Sequence, residues 1–454
     1  MSSFQFVDNF LSGDWERFQI HARRVRILHM EPSRIVPSPL TYLHIRNKCD
    51  GPLLPGLRKI YIPDENPIDF SAVVLAALRA PLDVVELNNS AISDRSFCIP
   101  FLTSLASESY QLHHLALCGS ENLSLEPVYR LTTLRRLKIK LSGTYMYPRT
   151  LQSLGNMANL KDLTLDVGAS APVPGTDGRL PPFSPENNGQ PGKLRKLHII
   201  GTPSSITRVF DGLNLRSLTA LVIDETNNAE GRTESFWRRC FEQISVCQAI
   251  EDIKIKQPTQ NRSPHEHYSL STSWFVSTLN LKTLKKLAIT GSALSGSDQD
   301  FRQLAGAFPK LKKLLVPPGY YSEGRSLACL FYFSQECPEL REINICIAYD
   351  IHKNLDAINK LPMPITENYQ HPLAILRIHS QLGQVQLTHS VQIAEFLDVV
   401  FPNLYILETY NSSAAEATTW TGIQAIRVAL QTARFNAFDR AMSELTMKSK
   451  ESAI

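Results

Sequence analysis

A six-residue phrase returns 14 times along this chain: apolar, two of any residue, apolar, one of any residue, apolar. It reads Leu57-x-x-Ile60-x-Ile62, Leu82-x-x-Val85-x-Leu87 and Leu112-x-x-Leu115-x-Leu117, and further copies open at Val25, Leu134, Leu160, Leu194, Leu218, Ile250, Leu284, Leu311, Leu340, Leu373 and Leu404. The copies lie roughly 22 to 34 residues apart, which is the period of leucine-rich repeats. Side chains alternate between the faces of a strand, so the fourth and sixth residues of a copy, such as Leu137 and Ile139, point the same way. One such strand cannot bury its own apolar face, whereas stacked neighbours form a continuous core. The expected fold class is α/β. It is a leucine-rich-repeat solenoid forming an irregular arc, with parallel strands on the concave face and helices on the convex face. At about 4.8 Å between parallel strands, the inner arc would be on the order of 60 Å long.

Parallel strands need crossovers. Helical spacing, with apolar residues at i, i+3, i+4 and i+7, marks six of them: Phe70 to Arg79, Phe97 to Leu105, Phe236 to Val246, Phe301 to Phe308, Leu327 to Phe333 and Val391 to Val400. A further match, Leu40-x-x-Leu43-x-Ile45, follows the Val25 copy too closely to leave room for a strand and a crossover, and it reads as part of a long connection. Three residues after the last apolar residue, where the sharpest consensus carries Asn or Cys, this chain has Ser33, Ser90, Ser120, Ser142, Thr202, Thr226, Ser292 and Ser412, or Gly168 and Gly319. Hydroxyls bond locally to backbone, so irregular turns are expected.

The ends read as caps, which a solenoid requires. Residues 1–24 form an N-terminal cap in which Trp15, Phe18 and Ala22 share a helical face with Val25. Residues 25–415 hold the repeats, interrupted at 168–192 by a Pro- and Gly-rich insertion that cannot build a core. Residues 416–454 hold a C-terminal capping helix, Ile423 to Leu445, with Ile426, Leu430, Phe438 and Met442 as its apolar stripe, and a fraying tail. A second irregular stretch runs from Gln257 to Ser271.

Composition narrows the function. The net charge of +4 is too small to imply nucleic acid, and no apolar run approaches a membrane span. The start of the chain lacks the pattern of a secretory signal. Eight scattered cysteines form no CxxC and read as buried free thiols of a reducing compartment, cytoplasmic or nuclear. The sequons at Asn122 and Asn411 then carry no weight. No nucleophile elbow, P-loop or zinc-protease motif occurs. His265-Glu266-His267 offers two imidazoles without a third ligand. The expectation is a monomer that is not an enzyme and takes no cofactor and no metal.

The segment Asp14-Trp15-x-x-Phe18-x-x-x-Ala22-x-Arg24-Val25-Arg26 resembles the start of the repeat region in fungal, especially basidiomycete, F-box proteins. Pro52-Leu-Leu-Pro-x-Leu-Arg58 and the recurring Leu-Arg-x-Leu and Leu-Lys-x-Leu strand starts are similar too, and the resemblance runs from about residue 10 to about 445. It implies a substrate-recognition part of a cullin-type ubiquitin ligase, in which a preceding F-box docks on the adaptor and the repeats hold the substrate. The residues before Asp14 do not read as an F-box. The chain is therefore expected to carry the substrate-binding half, with a stand-alone repeat scaffold as the alternative.

The strand residues that alternate with the core supply the candidate partner-binding face: Arg136, Lys138, Lys140, Lys196, His198, Lys254, Lys256, Lys286 and Lys313. The acids on the same columns are Asp162, Asp166, Asp224 and Asp252, about half as many. A basic concave face would favour a protein partner with an acidic segment.

Overall fold

In the computed structural model the chain forms two compact units, Met1–Phe236 and Trp237–Ile454. The structure describes residues 12–29, 51–62, 79–108, 111–141, 146–168, 193–226, 234–258, 269–278, 281–291, 293–316, 325–347, 350–362, 371–379, 385–409 and 414–451. The Leu40 match, residues 70–78 of the Phe70 to Arg79 crossover, residues 169–192 of the insertion and His265-Glu266-His267 lie outside the described residues.

The first unit carries eight parallel strands in chain order. They are β1 (Ile27–His29), β2 (Lys59–Ile62), β3 (Val84–Leu87), β4 (His114–Gly119), β5 (Arg136–Leu141), β6 (Asp162–Asp166), β7 (Lys196–Gly201) and β8 (Ala220–Glu225). Register carries the phrase from turn to turn without a slip: Leu115 pairs with Leu137, then Leu163, Leu197 and Leu221 in succession. The second unit repeats the plan with β9 (Asp252–Lys256), β11 (Lys286–Thr290), β13 (Lys313–Leu315), β14 (Glu342–Cys346), β15 (Ile375–His379) and β16 (Ile406–Thr409). Its column runs Ile253, Leu287, Leu314, Ile343, Leu376 and Leu407. Each of the 14 copies of the phrase thus forms one strand of a leucine-rich-repeat solenoid. From Leu57 to Ile378 the three apolar residues of every copy are at most 5% exposed. The terminal copies are looser, with Val25, Leu28 and Leu407 half-buried.

The helices follow the spacing of their apolar residues. Arg95–Glu108 buries Phe97, Phe101, Leu102 and Leu105, and its Phe97 and Phe101 rings stack at 5.1 Å. Asp298–Ala307 begins with a capping box in which Ser297 and Asp300 satisfy each other's backbone N–H. It buries Phe301, Leu304 and Ala305. Some of the hydroxyls that replace the consensus asparagine also cap. Thr202 Oγ1 accepts the Ser205 amide at the start of Pro203–Gly212. At Ser120, the neighbouring Asn89 supplies the tie instead, its Oδ1 accepting from both the amide and the hydroxyl of that serine.

One feature was invisible in the phrase. Within the irregular Gln257 to Ser271 stretch, β10 (Ser269–Ser271) pairs in parallel with β12 (Ala293–Ser295) in a separate two-stranded sheet. Gly291 turns the chain from β11 toward β12 in the left-handed region, at φ +85, where a Cβ would stand 1.9 Å from the Gln257 carbonyl oxygen. Arg325 closes this corner from within. It is buried, donates from Nη2 to the Leu294 carbonyl at 2.6 Å, and lies 4.6 Å over the Phe301 ring. Burial pushes its pKa down.

A helix stands near each end, and the C-terminal one differs from the sequence reading. The N-terminal helix Ser12–Ala22 stacks Trp15 on Phe18 at 5.1 Å and buries Ala22. The C-terminal helix is longer than expected, Ala414–Glu451, and closes the unit with Trp420 and Ile423. The sequence stripe misassigned its buried face. Ile426 and Leu430 are only half-buried, Arg427 is 1% exposed, and Met442 is 48% exposed. The reason is a polar contact that apolar periodicity does not report. The buried Asp398 carboxylate forms an ion pair with Arg434 and draws Arg427 inward by charge. Burial raises the pKa of Asp398 against the pull of both arginines.

The register column predicts a large cost for its truncation. Leu163→Ala should lower the unfolding free energy by about 2–5 kcal/mol, read as a fall in the urea midpoint. Tyr405→Ala, at a side chain 80% exposed, should stay within about 0.5 kcal/mol of the parent.

Candidate partner-binding face

The nine cations singled out in the sequence all stand on the strand face opposite the core, at alternate positions to the buried phrase. Register sorts them into rows. Arg136 and Lys196 occupy the first row of the first unit, on either side of Asp162. Lys286 and Lys313 are direct neighbours in the first row of the second unit. In the next row outward, Lys138 is separated from His198 by Thr164. Lys254 lies beside Ala288 in the second unit. Lys140 is flanked by Cys118 and Asp166, and Lys256 by Thr290.

Their electrostatic settings differ sharply. In the second unit Lys286, Lys313 and Arg377 are bound by acids on the adjoining strands. Lys286 Nζ lies 3.7 Å from Asp252 Oδ2. Lys313 donates to Glu342 at 2.9 Å, Arg377 reaches the other oxygen of Glu342 at 2.6 Å, and Arg377 also donates to Glu408 at 2.9 Å. This zigzag crosses four strands, from β13 to β16. Burial alone would raise the pKa of Glu342, but the hydrogen bonds from Lys313 and Arg377 outweigh it and hold the carboxyl below its ordinary range. The hydrogen bond to Glu408 likewise raises Arg377. In the first unit, His198 Nε2 sits 2.9 Å from Asp224. By contrast, Arg136, Lys138, Lys140, Lys196 and Lys254 have no ion pair within 4.0 Å among the described residues. Three of these five share the single strand β5.

His114 stands directly beside Arg136 on β4. Burial lowers its pKa first, with Arg136 and Lys138 adding to the effect and Glu86 and Asp162 opposing it. The imidazole is thereby held toward its neutral form next to the cations of β5. The second unit carries more acid on this face than the sequence columns named. Its acids Glu342 and Glu408 were missed, although Lys313 and Glu342 occupy the same place in consecutive copies.

Other chemistry is scarce here. Among the described residues no group of three or more His, Cys, Asp or Glu side chains could hold a metal ion, and no helix is long and apolar enough to cross a membrane. Cys98, Cys247, Cys329 and Cys337 are buried thiols. Burial pushes Cys98, Cys247 and Cys337 up to about 12 and raises Cys329 as well, so these thiols are protonated at neutral pH.

No protein-family model matches the chain, and no curated protein does. Solved structures with a similar chain path include an internalin, InlF, from Listeria monocytogenes, and the yeast complex of Rad7 and Elc1. The internalin is 14% identical, with a TM-score of 0.40 over 79% of this chain and 82% of that one. For the Rad7 and Elc1 structure the identity is 12% and the TM-score 0.39, over 86% of this chain and 83% of that one. The reading of the concave face rests on its own geometry.

The Glu342 network makes a pH-dependent prediction. A carboxyl held below its unfolded value of 4.5 contributes stability in full above that pH, and the contribution fades as pH falls through the lower folded value. Glu342→Gln should therefore cost about 1–2 kcal/mol at neutral pH, as hydrogen bonds to two cations are lost. Urea unfolding well below pH 4.5 should show parent and variant converging. An undiminished difference in acid would mean that the network acts by packing and not by charge.

Proposed function

We propose that this chain is a protein-binding leucine-rich-repeat module that docks an acidic partner through the concave face of its first unit. The observation that carries this reading is the trio Arg136, Lys138 and Lys140, three cations on one strand with no ion pair among the described residues. In the second unit Asp252, Glu342 and Glu408 compensate Lys286, Lys313 and Arg377, and Lys254 alone of the five named cations without an ion pair lies there. A cation left uncompensated where the same fold elsewhere compensates it is available to an incoming carboxylate. Such a surface steers encounter as well as holding the complex.

The resemblance to the repeat region of fungal F-box proteins takes the reading further. The partner is then a substrate presented to a cullin-type ubiquitin ligase, and the module is its receptor half, working in the cytoplasm or nucleus. The chain acts without catalysis of its own, without a cofactor and away from membrane and nucleic acid. A stand-alone scaffold with no ubiquitin role is the competing reading, and the buried, protonated thiols suit a reducing compartment under either one.

Affinity capture separates these readings. The protein should retain a partner that the Arg136→Glu, Lys138→Glu, Lys140→Glu variant loses by at least about tenfold, while keeping its circular dichroism spectrum. Unchanged capture by the folded variant would remove the concave face from the account. Co-capture of a cullin adaptor by the full-length gene product supports the ligase reading, and its absence alongside a retained partner supports the scaffold.

A further inference from the structure

A second cationic surface lies just outside the concave face, along the edge where the chain enters the strands. The second residue of each phrase sits there. Its carbonyl oxygen accepts two N–H groups from the next turn: Arg135 O from Lys161 and Asp162 at 2.9 and 3.0 Å, and Lys161 O from Arg195 and Lys196 at 2.9 Å each. These bonds fix Arg135, Lys161 and Arg195 as direct neighbours on successive turns. With Lys193 they make four exposed edge cations over three repeats, next to the concave Arg136 and Lys196 and against one acid, Asp162. None of the four edge cations has an ion pair among the described residues.

Like charges on adjoining strands oppose one another, and the second unit shows how this chain deals with the same geometry. There Lys285 follows Glu251 along the edge and pairs with it at 2.7 Å. Lys312 pairs with Glu339 at 3.0 Å, a carboxylate that its hydrogen bond to Lys312 holds below the ordinary range, with Lys310 and Arg341 adding to the effect. In the first unit the edge acid Asp83 pairs with His113 at 2.7 Å, but the edge of β5, β6 and β7 has no such acid among its described residues.

We infer that the entry edge of β5, β6 and β7 is a docking site for a carboxylate-rich polypeptide segment. The inference rests on the protein-binding reading but uses side chains outside the concave trio. Three turns at about 4.8 Å spacing place the cations over roughly 10 Å. An extended segment of about four residues spans that distance. A nucleic-acid strand is a poor fit, because binding by phosphate neutralisation calls for a longer cationic track, and the net charge of the whole chain is only +4.

The test is fluorescence anisotropy of the full chain with labelled hexa-aspartate at low salt, beside hexa-asparagine and a short single-stranded oligothymidylate. Hexa-aspartate should bind, weaken as salt is raised, and lose at least about tenfold in affinity on the Arg135→Glu, Lys161→Glu, Arg195→Glu variant. Arg135→Lys with Arg195→Lys, which keeps the charges, should bind as the parent does. Lys285→Glu with Lys312→Glu in the second unit should change affinity by less than about twofold. Equal weakening by the first- and second-unit reversals would overturn the site, leaving net charge as the cause. Tighter binding of the oligothymidylate would overturn it in favour of nucleic acid. Loss of hexa-aspartate binding on Lys138→Glu with Lys140→Glu, and not on the edge variant, would overturn the edge site and leave the concave reading standing.

Discussion

Everything in this protein depends on the inability of one repeat strand to bury its own apolar face. Leu163 is dry because Leu137 lies on one side of it and Leu197 on the other, in register. The same holds for Leu314 between Leu287 and Ile343. Burial is shared between turns, so stability is a sum of neighbour interfaces. The register that aligns the core also aligns the opposite face: once Leu137 and Leu163 are paired, Arg136 must stand beside Asp162, and Lys138 beside Thr164. The charge pattern of the exposed face is thus a direct consequence of how the apolar phrase stacks.

That coupling gives the two units different surfaces from one plan. In the second unit, acids fall on the strands next to Lys286, Lys313 and Arg377, and Lys313, Glu342, Arg377 and Glu408 form a zigzag of ion pairs across four strands. Exposed pairs of this kind each contribute little to stability. Their larger effect is to reduce the charge that Lys286, Lys313 and Arg377 offer a partner. In the first unit, β5 presents Arg136, Lys138 and Lys140, and the entry edge adds Arg135, Lys161 and Arg195. An acid placed among them as Glu251 or Glu339 is in the second unit would silence that field, and along the edge of β5, β6 and β7 none stands among the described residues.

The repeat strands were fully legible in the sequence, because the phrase reports burial by itself: an apolar residue at its fourth and sixth places points inward whatever its neighbours are. The longer helices were legible for the same reason, through the spacing of residues such as Phe301, Leu304 and Phe308. What escaped was set by partners distant in sequence. β10 and β12 are three residues each, too short for periodicity to announce them. The buried place of Arg427 depends on Asp398. The pairing of Lys313 depends on Glu342, one repeat later. The entry edge was overlooked because Arg135, Lys161 and Arg195 alternate with nothing, and only stacking brings them together.

The central claim is that uncompensated cations of the first unit mark where a partner sits. Hydrogen–deuterium exchange of the full chain with and without a captured partner tests it most directly. The account predicts slowed exchange confined to β5, β6, β7 and the residues leading into them, with the second-unit strands from β13 to β16 unchanged. Protection centred on those second-unit strands, or on the helices behind the sheet, would contradict it.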